Sequence, residues 1–330
     1  MDFQTASHLQ KHRFVWIMWD KKRWWITVCV LVLGFCLTGC AAKQTSPGEV
    51  TTSEIQTSKS VVSELTAGES VTEEEREPEK IPRVLSFYDA QSDAWYEAEV
   101  QENAPMQAYD WTKLSTGDIP SYEDGTYVSE LGIDVSHHQG EIDWESVAAA
   151  GVKFAIIRIA YRGYGESGTL KEDRFGMENV RKAQAAGLAV GVYIYSQAIS
   201  EEEAVEEAEF VIALLGDTSL ELPIVFDEER VLGDVARTDG ISAAQMTANA
   251  RAFCDRIQRA GYEAMIYSNV YSEMFLYDME ALSDIPFWYA DYEPQPQTPY
   301  AFEIWQCSES GKIPGIAGNV DVNLRFLREE

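Results

Sequence analysis

The sequence has few histidines and cysteines. Of four histidines in 330 residues, only His137 and His138 lie outside the N-terminal segment, and these two are adjacent. A three-histidine zinc site and a HExxH zinc helix are therefore excluded. The five cysteines include no CxxC pair, which excludes zinc ribbons and a disulfide-rich scaffold. We accordingly predict neither a metal nor another cofactor.

Basic residues are also scarce. The chain has 26 Lys and Arg against 55 Asp and Glu, which gives a formal net charge of −29 at pH 7. Phosphate contacts need clustered Lys and Arg, so nucleic acid is excluded as a partner. Hydrophobic residues make up 45% of the chain, as is ordinary for a globular protein with a buried core. Carboxylates are therefore the most abundant groups for chemistry.

Residues 1–39 are predicted to be a lipoprotein-type signal peptide. Lys21-Lys22-Arg23 precedes an apolar run at 24–37. A basic flank, a short apolar run and small residues after it are typical of a signal peptide. The run of about 14 residues is too short to span hydrocarbon comfortably. Residues 37–40 resemble the lipobox of bacterial lipoproteins, which implies cleavage before Cys40 and lipidation of its thiol. The alternative is an uncleaved N-terminal anchor, and both place the remainder outside the cytoplasmic membrane.

Residues 40–80 are predicted to be a disordered acidic linker, because they are rich in Ser, Thr and Glu and contain no aromatic residue. Residues 81–125 regain aromatic residues, and we expect an arm or a small subdomain of unknown role. Residues 126–330 are predicted to be the catalytic barrel, able to fold and act alone. Whether Cys254 and Cys307 pair is left open.

From residue 131 onward the chain alternates strands with helices. Three helix ends share an Ala-Gly pair, at 150–151, 186–187 and 260–261, and Gly is a common helix stop. Each is followed by a continuous apolar run, which is typical of a parallel strand covered on both faces. Five strand–helix units end near Leu282, and three further strands follow too closely for helices between them. The pattern predicts a TIM-like (β/α)5(β)3 barrel.

Acidic residues lie at four of the predicted strand ends. Strands 1 and 6 end in Asp134 and Asp291, strand 4 ends in residues 227–229, and strand 8 carries Asp321. Barrels of this type hold their active site at the carboxyl ends of the strands. Four acids on one rim therefore indicate a carboxylate site.

Side-chain alternation separates the acids of strand 4. Asp227 and Glu229 share one side of the strand, whereas Phe226 and Glu228 share the other. Because Phe226 suits the helix-facing side, we expect Asp227 and Glu229 over the barrel mouth. Two converging carboxyls repel, so one keeps its proton to higher pH while the other stays ionised. Acid-catalysed glycosidic cleavage needs this combination of a proton donor and a negative group.

Aromatic residues near the strand ends are candidates for a sugar-binding groove, although core packing is the alternative for many of them. The full set is Tyr161, Tyr164, Tyr193, Tyr195, Tyr267, Trp288, Tyr289, Tyr292 and Trp305. The predicted substrate-binding residues are Asp134, Asp291, Asp321, Tyr161, Tyr195, Tyr267, Tyr289 and Trp305.

Taken together, the motifs resemble glycoside hydrolase family 25, the Chalaropsis-type lysozymes. Residues 132–140 with 142–144 look like the N-terminal signature of that family, and residues 223–229 resemble its Asp-x-Glu strand. Later segments at 288–292, 305–306 and 318–323 match its later strands in order and spacing. The resemblance covers about 131–326 and implies a (β/α)5(β)3 barrel.

The resemblance also implies an activity: cleavage of the β-1,4 bond between N-acetylmuramic acid and N-acetylglucosamine in peptidoglycan. By position it implies that Glu229 is the general acid and Asp227 its charged partner, with Asp134 and Asp291 lining the same mouth. Whether Asp227 is a nucleophile or orients a substrate acetamide stays open. Glu228 departs from the apolar or aromatic residue expected there.

Other functions fit the sequence less well. A metal-dependent polysaccharide deacetylase needs an Asp and two well-separated histidines, but His137 and His138 are adjacent. A non-catalytic wall-binding barrel is expected to lack Asp227 or Glu229. A Ser-His-Asp hydrolase needs a Gly-x-Ser-x-Gly elbow, which the sequence lacks. The predicted partners are peptidoglycan glycan strands and, through Cys40, the extracytoplasmic face of the cell membrane, with secretion as the alternative; the oligomeric state is left open.

Overall fold

A computed structural model describes residues 82–117 and 119–329. The predicted signal peptide at 1–39, the predicted lipidation site Cys40 and the predicted linker at 40–80 all lie outside the described residues. Within the described ranges, no helix is both long and apolar enough to cross a membrane. Cys254 and Cys307 are separate free thiols.

The N-terminal part of the described chain, residues 82–126, forms two small antiparallel sheets, and we call it the arm. Strand β1 (Val84–Asp89) pairs with β2 (Ala94–Glu99), and β3 (Leu114–Ser115) pairs with β4 (Ser121–Tyr122). A 3₁₀ turn at Trp111–Lys113 precedes β3 and is capped by the side chain of Asp110. The β1–β2 pair is called the arm hairpin below.

Eight strands of the remaining chain close into a barrel. They are β5 (Tyr127–Val135), β6 (Phe154–Arg162), β8 (Ala189–Ser196), β9 (Ile224–Glu228), β10 (Ala264–Asn269), β11 (Phe287–Ala290), β12 (Ile304–Gly311) and β13 (Val320–Arg328). Strand β7 (Leu170–Glu172) pairs with the end of β6 outside the barrel wall. Strands β5 to β12 in the wall are parallel to their neighbours, and β13 closes the barrel antiparallel to both β12 and β5.

A helix follows each of the first five wall strands. These helices are α1 (Trp144–Ala149), α2 (Gly176–Ala185), α3 (Glu201–Leu215), α4 (Ala243–Arg259) and α5 (Val270–Phe275). Gly187 and Gly261 follow α2 and α4 with φ of 85° and 91°, the left-handed conformation that ends a helix at glycine. In the described chain, β11, β12 and β13 follow one another without an α-helix between them. The predicted (β/α)5(β)3 architecture is confirmed.

The direction of β13 determines where its acid lies. Because β13 runs antiparallel, Asp321 lies near its beginning and is directly opposite Asp134 near the end of β5. Both acids therefore lie at the same end of the barrel, although one begins its strand and the other ends one.

Alternation along the strands separates two layers of buried side chains. Residues such as Phe154, Val225, Met265 and Trp288 fill the inside of the barrel. Their neighbours in sequence point outward, where the helices and the arm cover them. A polar residue that points inward and lies at the carboxyl end of a parallel strand is therefore near the mouth of the barrel.

The arm shares its hydrophobic core with the barrel. The Tyr109 ring lies 4.3 Å from the Phe326 ring between centroids, and its hydroxyl donates to the Phe302 carbonyl at 2.7 Å. Phe87 of the arm hairpin is fully buried beside Phe275 of α5. Because both parts contribute to one core, independent folding of residues 126–330 stays a prediction.

Candidate active site

A cavity of about 170 Å³ lies at the carboxyl ends of the parallel wall strands. The residues that line it are Asp134, Tyr193, Asp227, Glu229, Tyr267, Trp288, Tyr292, Gln306, Glu309 and Asp321. Half of these ten residues are acids, and four of the five are predicted site residues. The cavity therefore concentrates carboxyl groups where a barrel of this type holds its active site.

Strand β9 places its acids on opposite sides, as the alternation predicts. Asp227 and Glu229 both line the cavity. Phe226 points the other way and packs on Phe253 of α4, with 5.1 Å between ring centroids. Glu228 is also buried, and burial together with the charge of Glu207 of α3 raises its pKa.

Asp227 and Glu229 act on each other electrostatically. Burial raises the pKa of Asp227 well above its usual range, and the charge of Glu229 raises it further. Burial also raises the pKa of Glu229, while its hydrogen bond with Asp227 lowers it. Two such carboxyls titrate as a pair and hold one proton between them over a wide pH range.

A hydrogen-bond network holds Asp134 beside this pair. Asp134 Oδ2 accepts from Gln306 Nε2 and from Asn323 Nδ2, both at 2.8 Å. Burial raises the pKa of Asp134 to about 6, although these two hydrogen bonds oppose the shift. Burial and the charge of Asp134 raise the pKa of Asp321 to about 8. These two carboxyls therefore take up protons at higher pH than isolated aspartates do, and Asp321 does so more readily than Asp134.

Gln306 connects the acids with the aromatic residues of the cavity. Its Oε1 accepts from the hydroxyls of Tyr267 at 2.9 Å and Tyr292 at 2.8 Å. Trp288 Nε1 donates to Asn323 Oδ1 at 2.8 Å. The amide side chains thus orient both rings and carboxylates. Gln306 and Asn323 are not among the predicted site residues; the signal available in the sequence was their position on the inner face of the last two strands.

The predicted aromatic residues divide into those that line the cavity, those that lie near it and those that point away from it. Tyr267 lines the cavity, and Tyr195 lies directly opposite Asp227 in the β8–β9 pairing, half-buried. Tyr161 lies near the end of β6, where the Arg158 guanidinium is 5.4 Å from the centre of its ring, and it does not line the cavity.

Tyr289 and Trp305 are not brought to the cavity. Alternation turns their neighbours Trp288 and Gln306 inward, so Tyr289 and Trp305 point outward and are buried. The Tyr289 hydroxyl donates to Asp291 Oδ2 at 2.7 Å, and Trp305 Nε1 donates to the Asp291 carbonyl at 2.8 Å. Both residues therefore contact Asp291 from the outer side of the barrel wall and fix its position.

Asp291 lines a second, smaller cavity of about 60 Å³. This cavity shares Glu229, Tyr267 and Tyr292 with the first one. Asp291 also accepts hydrogen bonds from the backbone N–H groups of Glu293 and Gln297, so it shapes the loop after β11. The remaining wall includes residues 88–91 at the tip of the arm hairpin.

One of the two adjacent histidines, His137, lies beside an Asp173–Arg158 ion pair next to the barrel. His137 Nδ1 lies 3.1 Å from Asp173 Oδ2, and Arg158 Nε lies 2.9 Å from the same oxygen. Over the part of the chain that the structure describes, no three His, Cys, Asp or Glu side chains are grouped to hold a metal ion.

Comparisons with known proteins place this geometry in a family. A family model described as glycosyl hydrolases family 25 matches residues 133–316. The autolytic lysozyme of Clostridium acetobutylicum is 27% identical over 194 residues, which cover 58% of this chain and 54% of the relative. Lysozyme M1 of Streptomyces globisporus is 32% identical over 205 residues, covering 58% and 66%. The chain thus spans less than two thirds of the length of either relative.

A solved structure supports the fold. The family 25 glycosyl hydrolase from Bacillus anthracis superposes with a TM-score of 0.51 at 20% identity, covering 64% of this chain and 94% of that one. At this identity the likeness concerns the fold alone. The arm lies outside the residues that the family model matches.

Proposed function

The chain belongs to glycosyl hydrolase family 25, and we propose that it hydrolyses the β-1,4 bond between N-acetylmuramic acid and N-acetylglucosamine in peptidoglycan. The observation that carries the proposal is the hydrogen-bonded pair of carboxyls, the buried Asp227 and the partly buried Glu229, at the mouth of a barrel of this family. The lysozymes among its relatives support the choice of substrate.

In the proposed reaction, Glu229 is the general acid. The proton held by the pair passes from Glu229 to the glycosidic oxygen as the bond to the anomeric carbon breaks, and the leaving sugar departs as an alcohol. The pair is then doubly negative, and Asp227 faces the cationic centre that forms. Water finally adds to the anomeric carbon and returns one proton to the pair, which restores its starting state.

The surrounding residues have separate proposed roles. Tyr267 and Tyr195 contact the sugar rings, with Tyr161 further out on the same rim. Asp134 supplies negative charge that helps to keep a proton on the pair, because like charges disfavour a second ionisation. Asp321 keeps a proton of its own, which it shares with Asp134 in a hydrogen bond. The assignments of Tyr267 and the acids rest on the lining of the cavity and on the hydrogen bonds around Asp134, and that of Tyr195 rests on its position opposite Asp227.

Three further predicted residues shape the site without lining the main cavity. Asp291 fixes the loop after β11, and Tyr289 and Trp305 are positioning residues that act through Asp291. This division follows from the direction in which each side chain points, since sugar cannot reach rings that are buried under the arm and the helices.

Mass spectrometry of purified peptidoglycan after digestion tests the activity. A new reducing end on N-acetylmuramic acid is the expected product, and a reducing end on N-acetylglucosamine contradicts the proposed bond. A non-catalytic barrel releases no reducing ends. A metal-dependent deacetylase releases acetate in a reaction that EDTA stops, so an EDTA control separates this alternative.

We further propose that the protein is tethered to the extracytoplasmic face of the membrane by a lipid on Cys40, with residues 40–80 as the tether. The basis is the lipobox-like run at 37–40. Several acyl chains anchor a protein stably, whereas one short chain binds only marginally. Cells expressing Cys40→Ser should lose the protein from the membrane pellet. A variant that stays in the pellet as fully as the wild type identifies the apolar run as an uncleaved anchor.

A further inference from the structure

The tip of the arm hairpin lies beside the proposed general acid. Residues 88–91 line the second cavity together with Glu229, Tyr267 and Tyr292. These last three residues also line the main cavity, so the hairpin continues its wall. Because the family model matches only residues 133–316, this part of the wall comes from a segment outside the matched region.

An ion pair fastens the hairpin to the barrel at this point. Arg230, the residue after Glu229, places Nη2 2.7 Å from Asp89 Oδ2 and 3.2 Å from Gln91 Oε1. The Arg230 guanidinium also lies 3.4 Å from the centre of the Tyr271 ring. Asp89 is only 4% exposed, and a charge pair removed from water in this way is costly to break by losing one partner. The hairpin is therefore held in a fixed position relative to Glu229.

A second contact fixes Tyr88. The Tyr88 N–H donates to Gln297 Oε1 at 2.8 Å, and Gln297 Nε2 donates to the Tyr88 carbonyl at 3.0 Å. The Gln297 amide thus pairs with the backbone of β1 as a neighbouring strand would. This contact joins the hairpin to the loop that Asp291 shapes.

The solvent side of the hairpin carries an aromatic pair. Tyr88 and Trp95 are direct cross-strand neighbours, with 5.8 Å between their ring centroids. Tyr88 lines the second cavity, while Trp95 is 70% exposed and makes no contribution to the core. An indole that is exposed on this fastened hairpin, beside a tyrosine that lines a cavity, has the features of a binding surface rather than of a packing element.

We propose that Tyr88 and Trp95 form an additional subsite for a sugar ring of the peptidoglycan strand, beyond the sugars that contact Glu229. A sugar ring presents an apolar face of C–H groups to an aromatic ring, and its hydroxyls remain in water. The subsite would lengthen the stretch of glycan that the enzyme binds. This proposal rests on the proposed function, because it names the polysaccharide cleaved at Glu229 as the occupant.

The test compares glycan strands of different length, freed of peptides, as substrates for the full chain. Trp95→Ala should lower kcat/KM on long strands by roughly 2- to 10-fold, mainly through KM, as expected for one aromatic contact. On the shortest oligomer that the wild type cleaves, the variant should match the wild type. Trp95→Phe should recover most of the loss.

Val84→Ala is the matched control. Val84 lies on the same face of the same strand as Tyr88 and is 55% exposed, but it is about 13 Å away along the strand. A loss with Val84→Ala as large as that with Trp95→Ala overturns the subsite, since the hairpin would then act only as a structural element. Equal losses on short and long strands, or no loss on either, also overturn it.

Failure of the proposed function is distinguishable from failure of the subsite. If the wild type releases no reducing ends from peptidoglycan, the proposed function fails. Retention of the Glu229→Gln chain on immobilised glycan strands, compared with the same chain carrying Trp95→Ala, then decides about the subsite. Equal retention of these two chains contradicts it.

Discussion

The two faces of β9 and its following residue carry carboxyl groups in different surroundings. Asp227 and Glu229 line an open cavity and share a hydrogen bond, whereas Glu228 is buried under the helices with no hydrogen-bond partner for either oxygen within the described residues. Burial is the largest cause of a raised pKa in all three. A raised pKa alone therefore does not identify a catalytic group here; access to the cavity separates the two faces.

On the helix-facing side of β9, Glu228 and Glu207 are buried carboxyl groups that do not line the cavity. Glu207 of α3 is fully buried, and burial raises its pKa to about 7 although Arg162 Nε lies 2.7 Å from its Oε1. The charge of Glu207 raises the pKa of Glu228 further. Both causes favour the protonated form of Glu228, which avoids burying an unpaired charge.

The largest expected effect is that of Glu229→Gln. Glutamine keeps the shape of the side chain but cannot deliver a proton to the leaving oxygen, so kcat/KM on purified peptidoglycan should fall by about 10²- to 10⁴-fold. Circular dichroism should show an unchanged fold. An active Glu229→Gln enzyme beside an inactive Glu228→Gln enzyme would reverse the assignment of the two faces.

Asp227→Asn should cost a comparable factor, because it removes the charge that faces the cationic centre. It should also move the alkaline limb of the pH–rate profile to lower pH. In the wild type, the last proton leaves the pair against the charge of a neighbouring carboxylate, whereas in the variant that charge is absent and the proton leaves more readily. An alkaline limb at the wild-type position would show that Asp227 does not raise the working pKa.

Gln306→Leu tests whether the hydrogen bonds of Gln306 hold the residues of the cavity in position for the reaction. The substitution removes a donor from Asp134 and the acceptor of the Tyr267 and Tyr292 hydroxyls. Buried polar groups left without partners cost roughly 1–3 kcal/mol of stability each, and kcat/KM should fall by about tenfold or more because Asp134 and the two tyrosine rings lose their orientation. A loss no larger than that of Glu228→Gln would mean that this network does not support the reaction.

The smallest effect on activity is expected for Glu228→Gln, within a few-fold of the wild type. Its stability should change with pH instead. The folded-state pKa of Glu228 is raised, so the wild type loses stability as the pH rises from the unfolded-state pKa of about 4.5 through the folded-state value. Glutamine does not titrate, so the Tm of the variant relative to the wild type should be higher at pH 8 than at pH 5. A change of about 1 kcal/mol corresponds to roughly 2–4 °C in a domain of this size.

If thermal melts at the two pH values give the same difference between Glu228→Gln and the wild type, then Glu228 does not hold its proton in the folded state. The two faces of β9 would then differ less than their surroundings indicate.

Local patterns in the sequence determined the architecture and the placement of Asp227, Glu229 and Glu228. Helix stops at glycine and the alternation of side chains depend on backbone geometry over a few residues, which a single sequence expresses directly. The same alternation did not suffice for Tyr289 and Trp305. Choosing which face of β11 and β12 points inward requires the position of the barrel axis, and both strands carry large aromatic residues on both faces.

Only the tertiary structure decided the contacts between distant segments. The antiparallel direction of β13 places Asp321 opposite Asp134, and the closure of the barrel brings Gln306 to the same acid across 172 positions of sequence. The pair of Asp89 and Arg230, 141 positions apart, sets the arm hairpin beside Glu229. Such contacts form because the closed barrel and the shared core leave one arrangement that buries the apolar surface of both, and no local pattern encodes that arrangement.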